Sequence, residues 1–346
     1  MRAVVLILAA SLAGCSAMPT STSPRTESPA AAETPSRAAV ATVTPIPPQA
    51  PAGASGIAFP TISAISAPSD SVVWVVTDSD RLFRSTDGGV TWDRRPMPAS
   101  YPNGPISFVD ESEGWLARTG SPATGCMAQY FDLWHTADGA MSWELLVRVG
   151  WDLPPMDVSF GQCKGPVAFV DRGKGVLVGS ARDTAPTLYR TRDGGRSWIS
   201  GPLGDPPGFT THPEHTLRPE GVRWFGSTLL LDALTWLEGR SIRYVFRSND
   251  AGATWVYVRS INDASEPIVF VTLTRWLRFS YPIALESTDA GATWHSFATD
   301  YRQGATPAPP SAAFADESVG YATARFSLQR TVDGGRHWSS LRMPGI

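Results

Sequence analysis

One eight-residue pattern recurs six times along the chain, and it constrains the fold more than any other feature. STDGGVTW (85–92) returns as TADGAMSW (136–143), TRDGGRSW (191–198), SNDAGATW (248–255), STDAGATW (287–294) and TVDGGRHW (331–338), at spacings of 39 to 57 residues. Each copy offers a Ser or Thr, an Asp two positions on, two small residues, a variable seventh position and a closing Trp. A fixed period of this length marks a repeat architecture in which each unit cannot bury its own faces.

The flanks of the copies are shared as well. Short strand-like runs such as DRLFR, FDLWH and RYVFR precede the pattern, and the Trp opens another run. Two further strands come before that pair, clearest in ISFVDESEGWLA (106–117), VAFVDRGKGVLVG (167–179) and AAFADESVGYATA (312–324). Four short antiparallel strands per unit predict an all-β chain and a single β-propeller over 56–346, with six four-stranded blades. A seventh blade lacking the pattern is the alternative count.

Within the pattern, Asp-Gly suits a sharp reversal between the third and fourth strands. The Asp oxygens can accept amides of their own turn and the Ser/Thr hydroxyl adds a local bond. The Trp is large enough to fill the gap between blades. The residues concerned are Ser85, Asp87, Gly89 and Trp92; Thr136, Asp138 and Trp143, with Ala140 where the other copies have Gly; and Thr191, Asp193, Gly195 and Trp198. The later copies supply Ser248, Asp250, Gly252 and Trp255; Ser287, Asp289, Gly291 and Trp294; and Thr331, Asp333, Gly335 and Trp338. One Asp per turn is too few oxygens for a calcium loop. The pattern therefore predicts structural turns rather than six sites, and no cofactor is expected.

This pattern resembles the Asp-box, or bacterial neuraminidase repeat, of sialidases, sortilin-like receptors, glycoside hydrolases and the photosystem II assembly factor family. The resemblance implies a propeller whose box hairpins lie on the rim opposite the functional face. It implies no activity, because propellers host many functions. A sialidase would need an arginine triad, a Tyr-Glu pair and an Asp acid. The first arginine of such a triad belongs near the start of the propeller, where GIAFPTISAIS (56–66) has none. Acidic groups such as Asp110, Glu111, Glu113, Asp316 and Glu317 fall in first-to-second strand turns and read as solvated.

The N-terminus sets the compartment. Arg2 and the apolar run AVVLILAASLA (3–13) form a signal-peptide h-region too short to span a bilayer. Leu12-Ala13-Gly14-Cys15 resembles the lipobox of bacterial lipoproteins, which implies a signal peptide over 1–14 and lipidation of Cys15; an ordinary cleaved signal peptide is the alternative. Ser16 after the cysteine does not favour inner-membrane retention in a cell with two membranes. The expected location is the outer side of the cell membrane, or the outer membrane. The segment 15–55 carries the lipidated cysteine and a tether. Of residues 16–55, 30 of 40 are Ala, Pro, Ser or Thr, a composition that cannot offset its ordering entropy. The tether averages roughly 35 Å end to end.

Three long insertions fall on the face away from the repeated turns: 119–130, 150–166 and 204–221. The first two hold Cys126 and Cys163, and in an exported domain such a pair predicts a disulfide. The third holds His212, Glu214 and His215, a weak metal candidate that lacks a third histidine. His135, His295 and His337, in or beside the turns, are expected to be exposed. With a net charge of -3 and 18% charged residues, nucleic acid is not an expected partner. The expected ligand is a protein or a glycan on the insertion-bearing face, bound without catalysis; a sialidase-like glycoside hydrolase is the alternative.

Overall fold

The computed structural model describes residues 62–98, 104–120, 129–150, 160, 163–181, 184–212, 215–280, 283–301, 312–323 and 328–342. These form six four-stranded antiparallel sheets. Blade 1 is β1 (Ile62–Ser66), β2 (Val73–Thr77), β3 (Leu82–Ser85) and β4 (Asp93–Arg95); blade 2 is β5 (Ile106–Phe108), β6 (Gly114–Thr119), β7 (Phe131–Thr136) and β8 (Glu144–Val149). Blade 3 is β9 (Cys163–Phe169), β10 (Gly175–Ala181), β11 (Thr184–Thr191) and β12 (Ile199–Pro202); blade 4 is β13 (Arg218–Phe225), β14 (Thr228–Leu237), β15 (Arg240–Ser248) and β16 (Val256–Asn262). Blade 5 is β17 (Val269–Phe270), β18 (Trp276–Ser280), β19 (Ile283–Ser287) and β20 (His295–Phe297); blade 6 is β21 (Ala312–Phe314), β22 (Gly320–Thr323), β23 (Leu328–Thr331) and β24 (Ser339–Leu341). Six blades, with no seventh sheet among the described residues, make an all-β propeller.

Each sheet is built from four consecutive strands, so the ring closes through side chains. Tyr321 and Arg330 of blade 6 donate to the Asp70 carbonyl of blade 1, at 3.0 and 3.3 Å. Val73, Val75, Tyr321 and Leu328 form the buried cluster at this seam, with Trp92 and Leu341 packed on it.

Aromatic pairs join other blades. A large ring on a second strand lies against a phenylalanine on the next blade's inner strand: Trp74 on Phe108, and Trp115 on Phe169, both at 3.8 Å. The turn Trp of the receiving blade meets that phenylalanine edge-on, as in Phe108–Trp143 and Phe169–Trp198. The glycine opening a second strand makes room for the ring. A Cβ on Gly114 would stand 2.1 Å from Phe108, and one on Gly175 2.4 Å from Phe169.

Up-and-down strand order places the first-to-second and third-to-fourth turns on one rim, the turn rim, and the remaining connections on the opposite loop rim. The two kinds of turn on the turn rim touch: the Gly88, Gly139 and Gly334 amides donate to the Ser71, Ser112 and Ser318 carbonyls, each at 2.8 Å.

Candidate functional site

The six repeated turns share one hydrogen-bond pattern. In each, the first-position hydroxyl donates to the Asp Oδ1 at 2.8–2.9 Å. The same hydroxyl accepts the fifth-position amide at 2.8–2.9 Å. The Asp Oδ1 also accepts the seventh-position amide at 2.8–2.9 Å. Sequence reading treats the seventh position as variable, but its side chain completes the turn. Thr91, Ser142, Ser197, Thr254 and Thr293 donate a hydroxyl to the Asp Oδ2, and His337 takes that place on Asp333 through Nδ1, all at 2.5–2.7 Å. A restriction to Thr, Ser or His was the available signal.

These bonds hold the carboxyls ionised. Asp87, Asp250, Asp289 and Asp333 sit at about 2. For Asp87 and Asp250 the largest cause is the seventh-position hydroxyl, and for Asp289 it is the Thr293 amide. In Asp138, Asp193 and Asp333 burial pushes the other way, and the hydrogen bonds together outweigh it. Every Asp oxygen is therefore spent inside its own turn. Both small residues have positive φ in every copy, including Ala140 at 63°, Ala251 at 57° and Ala290 at 56°. Trp92, Trp198, Trp255 and Trp338 donate Nε1 to their own fifth-position carbonyl at 2.8–3.2 Å. Two copies differ: Trp143 reaches the Pro96 carbonyl of blade 1, at 3.0 Å, and Trp294 Nε1 is buried without a partner among the described residues.

Two cavities lined by described residues lie along the propeller axis and share Ile65 and Ile106. The one toward the turn rim, about 400 Å³, is lined by all six inner strands. Its charged side chain is Arg223, which reaches from blade 4 to the Phe270 carbonyl of blade 5 (2.6 Å) and the Phe314 carbonyl of blade 6. Burial lowers its guanidinium to about 10 despite the opposing influence of Asp316. Committed to two carbonyls, it acts as a spoke across the ring. The arginine cluster that a sialidase needs is not found among the described residues lining either cavity.

The cavity toward the loop rim, about 500 Å³, is the better candidate site. Three inner strands are irregular there: Ser63 and Glu220 are extra residues in the pairing of β1 and β13, and Gly165 and Pro166 of β9 together face the single residue Val178; all four of these inner-strand residues line the cavity. A bulge re-aims a side chain, and at Glu220 it turns a carboxylate to the mouth. Lys164 lines the same mouth. Its backbone amide is fixed by the Gln129 side chain at 2.8 Å, and burial lowers its ammonium.

At the mouth, both oxygens of Glu220 are held by arginines. Arg218 holds its Oε1 at 2.8 and 3.1 Å, and the fully buried Arg243 holds Oε2 at 2.8 Å. Arg243 also binds Asp232 Oδ2 at 2.6 Å and the carbonyls of Ala264 and Ser265. Thus the blade 4–5 connection, the mouth and a buried carboxylate share one guanidinium.

Several expected site residues fall elsewhere. Glu113 and His135 are not solvated: Glu113 is buried at 3% exposure, 2.6 Å from His135 and 3.1 Å from Arg172. The next strand and blade cover that turn, which a linear reading misses. His295 and His337 are exposed, as are Asp110, Glu111, Asp316 and Glu317. The insertion after blade 3 is folded down, with Leu203, Phe209 and Leu217 buried against Leu231, Tyr244 and Phe246. Within it His212 and His215 exchange backbone hydrogen bonds at 2.8 and 3.0 Å. Glu214 lies outside the described residues, and among those described no group of three His, Cys, Asp or Glu could hold a metal. Cys163 takes part in a disulfide, whereas Cys126 and Cys15 lie outside the described residues. No helix among those residues is long and apolar enough to cross a membrane.

No family model matches the chain. It is 23% identical over 252 residues to a xyloglucanase of Paenibacillus sp, a match covering 62% of this chain and 23% of that protein. The chain therefore spans less than a quarter of that curated relative. Among solved structures it is similar to YCF48 bound to a D1 peptide, at 17% identity and TM-score 0.45, covering 80% of this chain and 94% of that one. YCF48 from Cyanidioschyzon merolae gives 13% and 0.45 over 84% and 97%. An ulvan lyase of the polysaccharide lyase class gives 9% and 0.45 over 86% of each chain. Fold and site together define a six-bladed β-propeller with a bulged, charged channel mouth on its loop rim.

Proposed function

We propose that the chain is an exported, lipid-anchored β-propeller that binds a protein or glycan as a non-catalytic scaffold, through the loop rim and its channel mouth. The observation that carries this reading is the mouth's chemistry. One carboxylate, Glu220, lines it among the described residues, and that group is already committed to Arg218 and Arg243. Glycoside hydrolysis ordinarily needs two carboxyl groups flanking the scissile bond, and sialoside recognition needs an arginine cluster. Neither arrangement is present among the described lining residues. The signal-like residues 1–14, the lipobox-like Cys15 and the tether composition support anchoring at the outer side of a bacterial membrane. Cys126 is the proposed partner of Cys163, since the topology brings their two insertions to one rim.

The test is a comparison on the full chain. Pull-down from native membranes and a glycan array should yield a ligand whose capture weakens on Glu220→Ala. Assay on fluorogenic sialosides and xyloglucan oligosaccharides should show no turnover. Turnover abolished by Glu220→Gln would replace this reading with the glycosidase.

A further inference from the structure

Arg243 is shared by two carboxylates of unequal standing. Asp232, on the second strand of blade 4, is fully buried; its Oδ2 accepts Arg243 Nη1 at 2.6 Å and the Ile268 amide at 3.2 Å. Its Oδ1 is buried with no hydrogen-bond partner among the described residues. Glu220 lies at the mouth, 20% exposed, and draws on the other side of the same guanidinium. An ionised carboxylate with one oxygen unsatisfied is costly to bury. A proton on Oδ1 removes the buried negative charge and leaves the bonds at Oδ2 in place.

We infer that Asp232 is a buried proton switch for the channel mouth. With Asp232 protonated, the charge of Arg243 falls wholly to Glu220 and locks that carboxylate back. With Asp232 ionised, Arg243 is neutralised from below, and Glu220, then held at Oε1 by the exposed Arg218 alone, can turn to a cationic or hydrogen-bond-donating group in the mouth. This inference concerns regulation of the site proposed above and rests on that reading for its use, though not for its chemistry.

The surroundings fit a local switch. Burial is the largest influence on Asp232 and raises it to about 6, with Arg243 pulling it down and Glu220 pushing it up. Of the other charges on the elements packed here, Arg278 pairs with Glu266 at 3.0 Å, Arg240 with Asp263 at 2.6 Å and Arg218 with the far oxygen of Glu220, while Arg223 is committed to the Phe270 and Phe314 carbonyls and Lys164 lines the mouth beside Glu220. The connection 263–268 is gripped by Arg243 and Arg278 through the Ala264, Ser265 and Asp263 carbonyls, so the switch also bears on how firmly blade 4 holds blade 5.

The test is side-chain carboxyl NMR of the full-length protein, ¹³C-labelled at Asp and Glu, titrated from pH 4 to 8. The Asp232 and Glu220 resonances should move together near pH 6. Glu220→Gln should bring the Asp232 midpoint down by about 0.5 or more, because a neighbouring negative charge is removed. Asp232→Asn should abolish the Glu220 step. A Glu220 resonance that stays still through the Asp232 step, or an Asp232 midpoint unmoved by Glu220→Gln, overturns the switch. If Asp232→Asn does not fold, the Glu220→Gln arm decides alone. Absence of any captured ligand would count against the scaffold reading and leave these titrations unaffected.

Discussion

The indole of Trp74 in blade 1 lies flat on the phenyl ring of Phe108 in blade 2, centroids 3.8 Å apart and planes 9° from parallel. Its Nε1 crosses the same boundary to the Asp110 carbonyl, at 3.2 Å. Since each blade closes its own sheet, such contacts are the bonding between blades. Trp74→Ala should cost about 3–5 kcal/mol, as for other buried aromatics, and Trp74→Phe distinctly less. Denaturant midpoints of the purified propeller check the order of the two variants.

Gly89 and Gly335 hold the same turn position at φ 92° and 95°, yet their surroundings differ. A Cβ on Gly89 would stand 2.5 Å from Leu341 Cδ1 across the seam, whereas the nearest atom for Gly335 is at 3.5 Å. Gly→Ala at either site carries the strain of a left-handed backbone, about 1 kcal/mol; at Gly89 a clash adds to it. Gly89→Ala should therefore lower the melting temperature more than Gly335→Ala. Ala251→Gly and Ala290→Gly should raise it by removing strain, while Ala140→Gly, which also loses a fully buried methyl, should be near neutral.

The turn aspartates predict acid lability with a defined sign. Their folded pKa values, about 2 in four copies, lie below the ordinary 3.8 of the free carboxyl. Their contribution is therefore complete above about 4 and is lost as pH falls toward 2. Thermal unfolding from pH 5 to pH 2 should show a steep fall in melting temperature, and Asp250→Asn should flatten part of it. His337 runs the other way: its raised pKa, caused mainly by the hydrogen bond to Asp333, gives a contribution present below 6.5 and lost as pH climbs through the raised value.

The cysteines separate into two experiments. Cys15→Ser should move the protein from the membrane fraction to the soluble fraction; unchanged fractionation would refute lipidation. Alkylation under non-reducing conditions should leave Cys126 and Cys163 unlabelled and, after reduction, label both; free thiols at both positions would refute the bridge.

Much of this fold is legible in the sequence because the repeated turn is local. Asp87 takes its partners from Ser85, Val90 and Thr91, all within four residues, so eight letters suffice to specify the geometry, and six copies specify six blades. The candidate site is legible only in outline. Insertions reveal the rim, but the bulge that presents Glu220 depends on pairing with β14, and Arg243 meets Glu220 from 23 positions away. The burial of Glu113 beside His135 and Arg172 likewise depends on a neighbouring blade. Phe209 shows the same limit: a Pro-rich insertion looks free until its one phenylalanine is seen to be buried beside Tyr244.

The seam between blades 6 and 1 has a mechanical meaning. Many rings are locked by a strand borrowed from the far end of the chain; here Tyr321, Arg330 and Leu341 are the clasp. A load drawn through Ile62 enters at the inner strand of blade 1 and bears directly on that clasp. Force spectroscopy on the tethered molecule should see the ring part there first and then come away blade by blade. By the same geometry, new chain ends cut into any other blade boundary, with the old ends joined, should give a ring that closes as well or better.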